Sequence, residues 1–152
     1  MIQRIQSIYL ALAAIFSVFP FFVPLVLFTD ESKWISMNNI GYDGSQIAEM
    51  AGRHPFGLAV WGIVVVILSL VSIFAFKNRK KQIRWTNWAM VANILWYVAL
   101  VAYAFSVKSR TNTDLHFEMG CLFPLVSLIT LFLAKKAIKH DEALIKAADR
   151  IR

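Results

Sequence analysis

Two uncharged apolar runs, residues 56–76 and 88–107, flank the densest charge cluster in the chain, and this arrangement limits the fold more than any other feature. Each run, wound as a helix at 1.5 Å per residue, is about 30 Å long, the thickness of a bilayer's hydrocarbon core. Between them, residues 77–84 carry five cations: Lys77, Arg79, Lys80, Lys81 and Arg84. Short cationic connections between membrane-length segments stay on the cytoplasmic side. The stretch therefore reads as a cytoplasmic loop that orients every other segment.

Composition agrees with a membrane setting. Of 152 residues 59% are hydrophobic, against about 45–50% in soluble domains, and mean hydropathy is +0.60. One domain, 1–152, is the natural count, and the apolar segments leave no room for a separate soluble catalytic unit. The net charge of +7 is uneven: twelve of the sixteen cations fall on the proposed inner side, and only Lys33, Arg53, Lys108 and Arg110 fall outside. Such a basic face speaks first of orientation and of anionic inner-leaflet headgroups. The single cysteine, Cys121, rules out an intrachain disulfide and argues against a cysteine-ligated metal.

Taken in order, the chain predicts spans at about 8–28, 56–76, 88–107 and 117–134, the last continuing into the cytoplasm as a tail helix over 135–152. The fold class expected is all-α: a four-helix transmembrane bundle with an amphipathic C-terminal helix. The first apolar run is longer than a signal-peptide core and lacks a small-x-small cleavage site, so it is expected to be retained. Pro20 and Pro24 should kink or loosen its outer half. Residues 29–55, acidic on balance, belong outside, where the turn signals Asn38-Asn39 and Asp43-Gly44 suggest a short hairpin or ordered cap. One or two helical turns are expected over 45–51.

Trp85 and Trp88 fall at an interface. Thr113 or Asp114 is expected to cap the fourth helix, with Glu118 at the outer interface and Lys135 and Lys136 snorkelling at the inner one. In the tail, Ala134, Ile138, Leu144, Ile145, Ala148 and Ile151 form an apolar stripe, and Glu142 and Lys146 an i,i+4 pair. Such a segment lies on the inner leaflet or packs on a partner helix.

Three stretches carry a family resemblance: the opening MIQRIQSIYL, the basic NRKKQIR at 78–84, and the ending AIKHDEALIKAADRIR at 137–152. Together the sequence resembles the domain of unknown function 4293 family, small four-span inner-membrane proteins of Bacteroidota. The resemblance implies four helices with both termini inside, and brings no activity with it. All three stretches fall on the proposed cytoplasmic side. They nominate one interaction surface there: Arg4, Lys77, Arg79, Lys80, Lys81, Arg84, Lys139, Asp141, Glu142, Lys146, Asp149 and Arg150.

Catalytic chemistry has few candidates. Asp114, His116 and Glu118 alternate and have metal-ligand side chains, but on a helix His116 would point away from the other two, so an interface and capping role is expected. His54 and His140 are isolated, and His140-Asp141-Glu142 lacks HExxH spacing. No Asp, Glu, Lys, Arg or His occupies the centre of any span, which disfavours proton-coupled and most ion-coupled transport. Asn93, with Tyr97 one turn on, is the polar feature at depth, expected to bond another helix. Gly57 and Gly62 make no GxxxG pair. No catalytic residue, metal or cofactor is expected, and the chain is read as a non-enzyme.

The leading expectation is an accessory or scaffold subunit docking other inner-membrane proteins through the basic face. The alternative is a carrier of a small apolar or lipid-like molecule, lined by Asn93, Tyr97 and Trp61 and admitted near Pro20 and Pro24. RNA or ribosome contact at the basic face is a weaker third, since cations alone bind nucleic acid without sequence preference.

Overall fold

A computed structural model describes residues 3–30, 33–44, 54–111 and 113–150. Among the described residues four α-helices dominate: α1 (Gln3–Val18), α2 (Phe56–Phe74), α3 (Arg79–Thr111) and α4 (Leu122–Arg150). They pack side by side in cyclic order, α1 on α2, α2 on α3, α3 on α4 and α4 back on α1. The expectation of a purely α chain is corrected by a four-stranded antiparallel sheet made of β1 (Val26–Asp30), β2 (Lys33–Met37), β3 (Tyr42–Gly44) and β4 (Asp114–Phe117), ordered β3-β2-β1-β4.

The sheet takes residues from both ends of the expected spans. The first helix does not run to residue 28: α1 ends at Val18, a 3-10 turn spans Phe19–Phe21, and Val26 begins β1. The two prolines therefore end the helix where a kink was expected. Proline disfavours helical backbone at the residue before it, and beyond Pro24 the alternating Val26-Leu27-Phe28-Thr29 suits a strand. The fourth helix likewise starts later than 117. Residues 114–117 form β4, a 3-10 turn covers Met119–Cys121, and α4 begins at Leu122, so neither Thr113 nor Asp114 caps it.

The expected turn at Asn38-Asn39 is present. Asn38 Oδ1 accepts from the backbone N–H of Ile40 and Gly41 at 2.9 and 2.8 Å, turning the chain from β2 into β3. Asp43-Gly44 lies in β3, and the turns expected over 45–51 lie outside the described residues.

The basic segment is helix rather than loop. After a 3-10 turn over Ala75–Lys77, Asn78 alone separates it from α3, which starts at Arg79 and runs 33 residues, well before the expected 88 and past 107. Asn78 caps α3, its Oδ1 accepting from the Lys81 N–H at 3.2 Å. At the other end, the tail continues the fourth helix as expected: α4 runs unbroken for 29 residues, about 43 Å at 1.5 Å per residue. A tail lying flat on a leaflet needs a break near residue 135, and α4 has none.

The inner face of the sheet presents Val26, Phe28, Ile35 and Met37, all buried, against Leu58 of α2 and Trp96, Leu100 and Ala104 of α3. Each such side chain contributes roughly 1.5–3 kcal/mol. Below this core, a second cluster of Leu10, Ala13, Ala89, Leu131 and Ala134 joins α1, α3 and α4.

Outside these clusters the usual polarity is reversed. Val60, Ile63, Ile67, Leu70 and Phe74 line the exposed side of α2, while Ser69 and Ser72 of the same helix are fully buried. Monomeric soluble proteins rarely leave so continuous an apolar face in water, and small polar residues at helix contacts are the membrane pattern. α2, α3 and a segment over Met119–Ile145 are long and apolar enough to cross a bilayer, and Ile5–Phe21 is a shorter apolar helix. Open sheet edges cannot be satisfied in hydrocarbon, so the sheet marks one end of the membrane-crossing part.

Candidate functional site

Two polar assemblies lie inside this apolar exterior. At the end away from the sheet, the helices meet around Asp141. Its side chain is 4% exposed, and one carboxylate oxygen, Oδ2, accepts a hydrogen bond from Gln6 Nε2 of α1. Its backbone carbonyl accepts from Arg79 Nη1 of α3 at 3.0 Å. The opening stretch, the basic segment and α4 thus converge on one residue. Asp141, expected on an exposed surface, is instead the buried centre of a clasp.

Of the other nominated surface residues, Lys80, Lys81, Arg84 and Lys139 are exposed around the clasp, and Arg79 and Glu142 are half-buried. The side chains of Arg4, Lys77, Lys146, Asp149 and Arg150 lie outside the described part of the structure. Along the expected tail stripe, Ala134 and Ile138 are buried but Leu144 and Ile145 are about half exposed, at 48% and 47%. Ile151 and the side chain of Ala148 fall outside the described part of the structure.

Nearer the sheet, Asn93 bonds a neighbouring helix as expected, its Nδ2 donating to Ser127 Oγ of α4 at 3.4 Å. Ser127 Oγ also reaches Ser17 Oγ at 2.8 Å and the carbonyl of Ala13 at 2.9 Å on α1. Three helices are therefore tied at one level. Tyr97 does not join them; its hydroxyl donates to the Cys121 carbonyl at 2.6 Å, beneath β4. A further pair links α2 and α3 through Ser72 and Thr86, whose hydroxyls lie 2.7 Å apart.

A cavity of about 10 Å³, room for about one water molecule, sits at the Asn93 level, lined by Ser17, Pro20, Gly62, Val65, Asn93, Trp96 and Pro124. Every one of these residues is buried. Above it Asn39, from the β2–β3 turn, is inserted between the helices: its N–H donates to the Pro20 carbonyl at 3.1 Å and its Oδ1 accepts from Trp96 Nε1 at 3.2 Å. Gly62 makes room for it, since a Cβ at that position would lie 2.8 Å from Asn39 Nδ2.

Sequence reasoning missed Asn39, Gln6 and the buried Ser and Thr residues. Their one sequence signal was spacing: Gln6, Leu10, Ala13 and Ser17 recur at helical intervals on the packed face of α1. On the strand, Asp114 and His116 are exposed, and no group of three His, Cys, Asp or Glu among the described residues is placed to hold a metal ion.

An apolar exterior, small polar contacts between helices and three helices of membrane-crossing length define a membrane-type helical protein with a small sheet at one end. Its sequence matches the family described as Domain of unknown function (DUF4293) over residues 2–151, essentially the whole chain, and the protein belongs to that family. No curated protein matches it.

Proposed function

We propose that this chain is a four-span inner-membrane protein with both termini in the cytoplasm, acting as a non-catalytic accessory subunit that docks other membrane proteins through the Asp141 end. The observation that carries this reading is the clasp itself. Gln6 and Arg79 hold α1 and α3 to α4 at Asp141, while α4 runs on beyond it with Leu144 and Ile145 half exposed. A helix presenting apolar side chains beyond a ring of cations offers a partner helix a seam, with Lys80, Lys81, Arg84 and Lys139 facing anionic headgroups or acidic partner groups. The count of cations in the sequence, twelve on the proposed inner side against four, supports the cytoplasmic assignment.

The carrier reading has less support. Asn93 and Pro20 line a shared cavity, but at about 10 Å³ it admits about one water molecule and no lipid.

The test is purification of the tagged protein at native level in mild detergent, beside a version lacking residues 144–152, which retains the clasp. The reading expects a particle of fixed stoichiometry whose partner is lost on truncation while the truncated chain stays in the membrane. A lone monomer, or a partner retained by the truncated chain, would overturn it.

A further inference from the structure

The cavity beneath the sheet has two neighbours whose bonding is incomplete in complementary ways. Asn93 Oδ1 and Asn39 Nδ2 are both buried side-chain atoms without a hydrogen-bond partner among the described residues. Asn93 is 1% exposed and Asn39 0%. Leaving such a group unpaired costs about 1–3 kcal/mol, and two groups of opposite need bordering one space is a pattern that a bridging molecule resolves.

The orientation of each amide is set by its other bonds. Trp96 Nε1 has only a proton to give, so the Asn39 atom it meets at 3.2 Å is the oxygen, and Nδ2 is left as a donor. Ser17 Oγ gives its proton to the Ala13 carbonyl at 2.7 Å and Ser127 gives its own to that carbonyl or to Ser17, so Ser127 accepts from the Asn93 amide nitrogen, and Oδ1 is left as an acceptor. Asn93 lines the cavity directly, and Asn39 Nδ2 borders it at Gly62, another lining residue. Trp96, one helical turn from Asn93, connects the two amides along the same wall.

We propose that this cavity is a water site in which one water molecule bridges Asn93 and Asn39. The water donates one proton to Asn93 Oδ1 and accepts from Asn39 Nδ2, leaving its second proton for Ser17 Oγ, which lines the same space. Three polar partners and room for about one molecule meet the requirements of an ordered buried water. No charged side chain lines the space, and a metal cation would need more oxygen ligands than Asn93 and Ser17 supply. The bridge ties the sheet, through its β2–β3 turn, to the interior of α3.

Two measurements on the full-length protein decide it. A crystal or electron cryo-microscopy structure resolving ordered water should show a peak at about 2.7–3.2 Å from both Asn93 Oδ1 and Asn39 Nδ2. An empty cavity, or the two amides bonded directly, overturns the proposal. In detergent, isotope-labelled protein should show magnetisation transfer from a long-lived water to the Asn39 side-chain amide protons, lost in folded Asn93→Leu. Absence of that transfer in the wild type overturns the proposal whether or not the variant folds. Its persistence in folded Asn93→Leu does so too.

Discussion

Gly120 faces the backbone of Pro24 so closely that a Cβ there would lie 2.2 Å from the Pro24 carbonyl oxygen. The obstacle is main chain on both sides and cannot rotate away. Gly120→Ala should destabilise the protein by about 1–3 kcal/mol or more. At Gly57 the nearest atom to an added Cβ is Tyr103 Oη, 2.7 Å away at the far end of a side chain. Gly57→Ala should therefore lower the melting temperature in detergent less than Gly120→Ala, and the reverse ranking would show that the sheet-end contact is softer than drawn. Tyr42 offers a pH test. Burial raises its phenol pKa from 10.0, Tyr103 adds to the rise and Arg110 opposes it. A raised folded-state pKa means the stabilising contribution is complete below about pH 10 and is lost as pH climbs through the folded-state value. Between pH 9 and 11 the wild type should lose more thermal stability than Tyr42→Phe; parallel losses would place the ring in a wetter setting.

Elements are held together by polar contacts of small number and long sequence separation. Gln6 and Asp141 are 135 residues apart, and their hydrogen bond joins the first turns of α1 to α4. Removing one partner strands the other in a buried site, at about 1–3 kcal/mol. Asp141→Ala and Gln6→Ala should each destabilise, and the double variant should cost less than the sum, with a coupling of about 0.5–3 kcal/mol. Additive losses in thermal melts would show that the two side chains act separately. At the start of α3, Asn78→Ala removes the cap on the Lys81 N–H and should cost about 1 kcal/mol. That cap was not legible in the sequence, because the cations on either side of Asn78 read as a loop and the helix was expected only from 88. β1 and β4 were not legible in the sequence, because a short apolar run such as 26–28 looks the same as buried helix until its pairing partner is known. That partner, β4, lies about ninety positions away.

At the scale of the whole molecule, the sheet and the clasp occupy opposite ends of the helices, and the proposed topology puts them on opposite sides of a membrane. In a Cys121→Ser background, which keeps a donor for the Leu25 carbonyl that the Cys121 thiol now meets at 2.9 Å, Lys139→Cys and Asp43→Cys place single thiols at the two exposed ends. A membrane-impermeant maleimide applied to spheroplasts should label Asp43→Cys, and label Lys139→Cys only after lysis. Labelling of both before lysis would refute the topology.

The bounds of α2 and the cationic end of the molecule follow from local composition, because unbroken apolar runs and charge clusters act on their own segment wherever the rest of the chain goes. The family was legible for the same reason, its marks being contiguous stretches. The tertiary structure decided what depends on distant partners. It assigned Val26–Asp30 to a strand by pairing it with residues 114–117, and it turned Asp141 from a surface charge into a buried acceptor by bringing Gln6 to it. It also carried Asn39 out of a polar turn and into the helix interior, through the space a glycine at 62 leaves open. Each of these rests on hydrogen bonds between residues far apart in sequence, and local propensity carries no information about such bonds.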